Sequence, residues 1–368
     1  MSGGERGRAR AAISVLLPFR DAAATVTTAA LGALGSPLVR ELLAIDDGSL
    51  DGGAARVREL ASRDPRVRVV ESHGVGIARA LALGVGCARH GLLGRMDADD
   101  VSLPGRFEAS AALLASDPTL GAVGTQVSVA SETPRPGLDA YVAWQNGLIS
   151  PEEHAAARFV EAPLCHPSTL LRRDALARVG GYAEAPWAED YDLWLRLAEA
   201  GFGLAKVPRV LLAWRHGVGR ATFTDPRCSE ASLLAARAHY LARHLARHLA
   251  DGERPRRALA IWGAGKTGRR LARALAARGL RHGLWVDVDP AKVGRSLQDA
   301  PIVAPEALPA AAFVVVAVRG RGAFALSAAE RRAAEGAPDA VGTAARDLVR
   351  ARLTASGRVE GRDFLCAA

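Results

Sequence analysis

Apolar and polar positions follow two different rhythms along this chain. Residues 13–17 form a short β-branched and aliphatic run closed by Pro18, and 39–45 form a second that ends at Asp46-Asp47-Gly48-Ser49. Runs of that length, apolar on both faces, predict buried strands of a parallel sheet. Residues 54–62 and 75–89 carry helical spacing, 67–70 predicts a third strand and 91–96 a fourth, 104–115 a helix with Pro104 near its start, and 120–129 another strand. Strands alternating with helices predict a doubly wound α/β sheet. From 131 to 161 the chain turns Pro-rich and loses its period, which predicts an irregular segment covering a ligand. Residues 190–200 then predict an amphipathic helix with Leu193, Leu195 and Leu197 around Trp194, and 207–214 a strand. A helical Ala/Leu/Arg/His segment follows over 230–250, then Asp251-Gly252-Glu253-Arg254-Pro255, a linker by composition. At Leu259 the alternation restarts. The predicted organisation is a flexible N-terminus (1–11), an α/β domain (12–225), a helical linker (226–256) and a second α/β domain (257–368).

Composition narrows the class without naming a function. With 368 residues, 49% apolar and 24% charged, the chain has material for two ordinary globular cores, which excludes disordered and fibrous classes. All but three of its 48 basic residues are Arg, the exceptions being Lys206, Lys266 and Lys292. Together with the richness in Ala this reads as coding bias, so the net charge of +9 does not argue for nucleic acid, and none is expected as a partner. The charge does suit phosphate-bearing ligands or an anionic membrane surface. Four scattered cysteines without a CxxC pair indicate neither a zinc site nor a disulfide framework, so a reducing cytosol is expected. Met1-Ser2-Gly3-Gly4-Glu5-Arg6 opens no apolar signal segment and no apolar run is long enough to span a bilayer. The expected location is cytoplasmic, compatible with peripheral association at the inner face of the membrane.

Chemistry concentrates at Asp97-Ala98-Asp99-Asp100, which closes the apolar run Gly91-Leu92-Leu93-Gly94-Arg95-Met96. Three carboxylates within four residues repel one another, and hard oxygen donors suit Mg²⁺ or Mn²⁺. At the carboxyl end of a strand in an open α/β sheet they would face the ligand crevice. The other reading is a solvated acidic turn capping the helix near Pro104.

Three further segments, in order and at related spacing over 12–216, join that tetrad: Ile13-Ser14-Val15-Leu16-Leu17-Pro18-Phe19, Ile45-Asp46-Asp47-Gly48-Ser49, and Glu189-Asp190-Tyr191-Asp192-Leu193-Trp194-Leu195-Arg196. With Leu103-Pro104 after the tetrad, the set resembles the family-two glycosyltransferases, which have the glycosyltransferase A fold. His166-Pro167-Ser168-Thr169, then Arg172-Arg173 and Gly180-Gly181-Tyr182, resemble the members that build bacterial surface polysaccharide. The resemblance implies a nucleotide-sugar donor, a glycan or lipid-linked acceptor and inversion at the transferred sugar. It implies Asp99 and Asp97 as ligands of Mn²⁺ or Mg²⁺, with Asp97 also meeting the donor, and Asp100 as a further ligand, a supporting group or a helix cap. Pro18, Phe19, Asp47 and Arg79 would contact the donor. Asp190 would be the general base, supported by Glu189, with Asp192 at the surface or behind them. His166, Arg215 and His216 would lie near the diphosphate or acceptor cleft, while Trp187 and Trp194 are either sugar platforms or core. The chain departs from the family in carrying Arg20-Asp21 after Pro18, where Asn is usual, and Ala80 after Arg79.

The second domain carries its own motif. Leu259-Ala260-Ile261-Trp262 runs into Gly263-Ala264-Gly265-Lys266-Thr267-Gly268, a GxGxxG turn between a strand and a helix, and Asp287 or Asp289 follows about 20 residues later where a ribose-binding acid would lie. The segment resembles Rossmann-type modules attached to polysaccharide-biosynthesis proteins, which implies NAD(P) or another nucleotide, or a purely structural role. No Tyr-x-x-x-Lys or comparable reductive group is visible. His244 and His248, one turn apart, can chelate a metal or belong to a solvated basic face. The alternatives to a glycosyltransferase are a dinucleotide-dependent oxidoreductase of nucleotide sugars and a non-catalytic sugar-binding scaffold.

Overall fold

A computed structural model describes residues 11–130, 136–215, 225–249, 257–318 and 345–368. They fall into two compact units, Met1–Ala155 with Ala162–Cys228, and Ala156–Glu161 with Ser229–Ala368.

In the first unit β1 (Ile13–Phe19) is buried at every position, as an all-apolar run requires. It does not stop at Pro18. Its pairing with β4 (Leu92–Arg95) ends at Leu16 opposite Arg95, so the missing Pro18 N–H faces no partner strand, while the Phe19 carbonyl still accepts from Asp47 N–H at 2.9 Å. β2 (Val39–Asp46) and β3 (Val67–Glu71) lie parallel beyond it, connected through α1 (Val26–Leu34), α2 (Gly53–Arg63) and α3 (Ile77–Cys87). This parallel part, β3-β2-β1-β4, is the doubly wound arrangement that the alternation predicts. The rest of the eight-stranded sheet is mixed: β7 (Leu170–Arg172) runs antiparallel to both β4 and β6 (Leu120–Ala130), β8 (Gly203–Arg215) is parallel to β6, and β5 (Val101–Ser102) is antiparallel to β8 at the edge. β5 and β7, with two and three residues, are too short to carry a readable period.

The segment expected to be irregular is largely helical. Residues 131–135 lie outside the described ones, but α5 (Pro136–Gly147) and α6 (Pro151–Ala157) follow them. Their buried faces include Gln145 and His154, so an apolar period does not show. Asn146 fixes α5 to β6, accepting from Val127 N–H at 3.0 Å and donating to its carbonyl at 2.8 Å. Among the described residues the unit also has α4 (Arg106–Ser116), α7 (Arg173–Arg178) and α8 (Glu189–Glu199), whose apolar side buries Leu193, Trp194 and Leu197.

The second unit begins with α9 (Glu230–Leu249), which groups there together with residues 156–161. Buried Arg237 donates to the Val160 carbonyl, and the Phe159 ring lies 5.8 Å from that of His244. His244 is half-buried and a poor cation ligand: Arg158 Nη2 is 3.3 Å from its Nε2, and burial, then the Arg158 charge, push its pKa down to about 3. A six-stranded sheet follows in the order β11-β12-β10-β9-β13-β14. It contains β9 (Leu259–Trp262), β10 (Leu284–Val286), β11 (Ser296–Leu297), β12 (Ala300–Val303), β13 (Phe313–Val316) and β14 (Phe364–Cys366), all parallel except β11, with α10 (Lys266–Ala276) after β9 and α11 (Ala345–Ala355) before β14.

Candidate active site

The chain order of the first sheet reverses at β1, which has β2 on one side and β4 on the other, and the carboxyl ends of these strands bound the crevice that such a reversal leaves. Phe19 ends β1 and is buried. Asp46 and Asp47 end β2, and both are committed to protein. Asp46 Oδ1 accepts from Ser49 N–H at 2.9 Å, while Asp47 accepts from the Ser72 hydroxyl at 2.7 Å and from Gly76 N–H at 3.0 Å. Asp47 therefore shapes the connection between β3 and α3. That connection passes close to the β2 turn at Gly48, where φ is +84° and a Cβ would stand 3.4 Å from Gly74 N.

β4 delivers the acidic tetrad. Asp97, Asp99 and Asp100 each present a carboxylate oxygen within 4.8 Å of the others, a set of hard donors that fits Mg²⁺ or Mn²⁺. Two buried arginines that the sequence reading does not single out offset the clustered charge. Arg95 Nη2 is 2.6 Å from Asp97 Oδ1. Arg106, the first residue of α4, donates to the carbonyls of Arg95 and Pro167, and burial lowers its pKa to about 10 although Asp100 favours the charge. A cation inside the apolar run 91–96 is the signal that could have marked Arg95. Asp100 is buried and its Oδ1 accepts from Arg215 N–H at 2.9 Å, so it ties the tetrad to the end of β8. Arg215 enters through its backbone; His216 lies outside the described residues.

Glu189 and Asp190 open α8, where a carboxylate is favoured by the helix dipole. Their environments drive them apart. Burial, then the charge of Glu189, push Asp190 up to about 6. Burial acts on Glu189 in the same direction, but His166 and Arg95 outweigh it and hold Glu189 below its ordinary value. His166 is buried, with Nδ1 at 3.7 Å from Glu189 Oε1 and Nε2 at 2.8 Å from Tyr182 Oη. Arg95 thus acts on both acidic groups, paired with Asp97 and adding its charge at Glu189 and Asp190. Cys228 also lies beside the pair, its thiol pushed up to about 12 by burial and then by Asp190 and Glu189.

The other expected residues divide between brace and surface. Asp192 is not a surface group: it is buried, accepting from Trp187 Nε1–H at 2.8 Å and from Arg196 Nε–H at 2.6 Å. Arg196 in turn donates to the carbonyls of Val179 and Gly181, at 2.6 and 2.7 Å. Trp194 is 1% exposed and belongs to the core, so it is no sugar platform. Arg79 is exposed on α3 and paired with Glu184 at 2.6 Å. In the second unit, a Cβ on Gly263 would meet Val318 Cγ1 at 2.7 Å and one on Gly268 would meet the Gly263 carbonyl at 1.9 Å, whereas Gly265 has nothing within 4 Å. Asp287 is buried at the end of β10 and accepts from Ala264 N–H at 2.9 Å and from Lys292 Nζ at 3.1 Å. Among the described residues no helix is long and apolar enough to cross a membrane.

Known proteins are similar to parts of this chain. The amylovoran biosynthesis glycosyltransferase AmsE of Erwinia amylovora is 31% identical over 181 residues, 48% of this chain and 65% of its own length. The O-antigen biosynthesis glycosyltransferase WbnJ of Escherichia coli is 27% identical over 146 residues, 39% of this chain and 54% of its own. The UDP-Gal:alpha-D-GlcNAc-diphosphoundecaprenol beta-1,3-galactosyltransferase of Escherichia coli is 25% identical over 142 residues, 38% and 50% respectively. The chain therefore spans between 50% and 65% of the length of these three relatives. Among solved structures, the mannosyltransferase PcManGT of Pyrobaculum calidifontis, in complex with GDP-Man and Mn2+, aligns with a TM-score of 0.46 at 22% identity over 67% of each chain. The three relatives are named as transferases, which does not favour an oxidoreductase. Residues 14–180 match Glycosyl transferase family 2, and with these relatives the match supports a family 2 glycosyltransferase domain in this chain.

Proposed function

We propose that the first unit transfers a sugar, with inversion, from a nucleotide-sugar donor to a hydroxyl of a glycan or lipid-linked acceptor in cell-surface polysaccharide or glycoconjugate synthesis. One observation carries the reading: Arg95 links the three strand-end carboxylates to a helix-start acid pair in which one member, Asp190, has its pKa raised toward neutrality. Asp190 takes the proton of the acceptor hydroxyl as that oxygen bonds to the anomeric carbon. The bond from that carbon to the diphosphate oxygen breaks on the opposite face, and the nucleoside diphosphate leaves with the electron pair. Asp99 and Asp97, with Asp100 beneath, would hold Mn²⁺ or Mg²⁺, which when bound supplies Lewis-acid neutralisation of the diphosphate charge. Pro18, Phe19 and Asp47 bound the donor end, Asp47 through the connection it shapes, and Arg79 stands at its rim. The relatives' names support the polysaccharide setting, and the diphosphoundecaprenol in one of them favours a lipid-linked acceptor.

The second unit is read as a Rossmann-like domain. Its support is the glycine geometry: Gly263 and Gly268 are demanded by packing, while Gly265 leaves the open approach that a nucleotide's phosphates need, with Asp287 below the turn.

Calorimetry tests the donor site. UDP or GDP titrated with Mn²⁺ is expected to bind the native protein in a metal-dependent way and to lose that dependence in Asp99→Ala. Equal metal-dependent affinity in the variant would contradict the assignment.

A further inference from the structure

The chemistry proposed for Asp190 leaves unexplained a buried histidine that faces its neighbour. His166 opens the 3₁₀ turn His166–Ser168, and its ring stands edge-on to Trp194 at 5.8 Å and 5.5 Å from the ring of Tyr182. The turn is tied to the strand end that bears the acidic tetrad. The Thr169 carbonyl accepts from Arg95 N–H at 2.9 Å, and the Pro167 carbonyl accepts from Arg106. The ring is therefore fixed relative to both acidic groups.

Its two ring nitrogens face different partners. Nδ1 faces the Glu189 carboxylate, which only accepts, at 3.7 Å, and Nε2 shares a hydrogen bond of 2.8 Å with the Tyr182 hydroxyl. Burial raises the pKa of Tyr182, so the phenol keeps its proton. The chain Tyr182, His166, Glu189 ends one residue short of Asp190.

We propose that His166 is a positioning residue for sugar transfer: backed by Tyr182, it holds the Glu189 carboxylate in one orientation, so that Asp190 is the acid left to meet the acceptor hydroxyl. This rests on the reading of the first unit as a transferase with Asp190 as base. The held negative charge of Glu189 also makes Asp190 the better proton acceptor.

A double-mutant cycle with Glu189 tests it, because a merely structural histidine has no reason to act through that carboxylate. Turnover is read as hydrolysis, with Mn²⁺, of whichever of UDP-glucose, UDP-galactose, UDP-N-acetylglucosamine and GDP-mannose the native protein cleaves fastest, and affinity with the matching nucleoside diphosphate. His166→Phe keeps a ring and removes both nitrogens, and kcat is expected to fall roughly ten- to hundredfold, part of the scale of positioned proton transfer, at unchanged Kd. His166→Asn, which keeps a donor near Nδ1, should recover most of that loss. In a Glu189→Gln background the His166→Phe change should lower kcat less than about twofold. Additive losses in the cycle, or a loss confined to nucleotide affinity, overturn the proposal. Should His166→Phe fail to fold, Tyr182→Phe replaces it in the same cycle, with a smaller loss of the same sign expected. Asp190→Asn separates the two levels: normal hydrolysis there overturns the base assignment and this proposal with it, whereas additivity beside an inert Asp190→Asn overturns only the role of His166.

Discussion

Single side chains in this site work by opposition. Asp190 is pushed up to about 6 by burial and by Glu189, while His166 and Arg95 hold Glu189 down. A base must be deprotonated to act, so kcat/KM is expected to fall on the acid side with a midpoint near 6, well above the ordinary aspartate value of 3.8. Glu189→Gln removes the neighbouring charge and should move that midpoint down; a pH–rate profile unmoved by the change would contradict the coupling. The same shift has a stability sign. Because the folded-state pKa is raised, the stabilisation from protonating Asp190 is fully present below about 3.8 and lost as pH rises through about 6. At pH 8 Asp190→Asn should therefore raise Tm. The acids were legible in the sequence because they interrupt apolar runs at a strand end and a helix start. The commitment of Asp47 to Ser72 and Gly76 was not, because those bonds join residues 25 and 29 positions apart.

Elements show why the strand end stays where it is. Arg106 sits at the start of α4, and its guanidinium reaches two backbone carbonyls, one on β4 and one on the turn at Pro167. Arg106→Met would strip both carbonyls of their donor and remove one of the two buried cations that offset the tetrad, a loss on the order of 3–5 kcal/mol. Urea denaturation measures it, and a change under about 1 kcal/mol would show that the arginine braces nothing. The parallel part of the sheet, β3-β2-β1-β4, was legible because each strand is an apolar run followed by a turn. The mixed part was not: β5 and β7 are too short, and α5 and α6 bury Gln145 and His154 where a period would need leucines. Lys206 is a third such case. It is buried on β8, donates to the Gln145 carbonyl and has its pKa pushed down to about 8 by burial, one residue before the stretch 207–214 that reads as a strand.

On the scale of the whole molecule, every residue assigned to the sugar-transfer chemistry precedes Ser229, where the second unit's main segment begins. A chain ending after Leu249 keeps α9, and with it the partners of Phe159 and Val160. Such a chain is expected to bind nucleoside diphosphate with Mn²⁺ within about threefold of the native affinity and to retain donor hydrolysis, a difference of less than about 1 kcal/mol. If it is folded by circular dichroism yet inert, the chemistry depends on the second sheet. The central claim, that the first unit moves a sugar with Asp190 as base, is tested most directly by kcat of Asp190→Asn measured beside the donor Kd. Asparagine keeps the shape and polarity but cannot take the proton. The expected result is an unchanged Kd with turnover lower by roughly two to four orders of magnitude; near-native turnover, or a larger loss in Glu189→Gln than in Asp190→Asn, would contradict it.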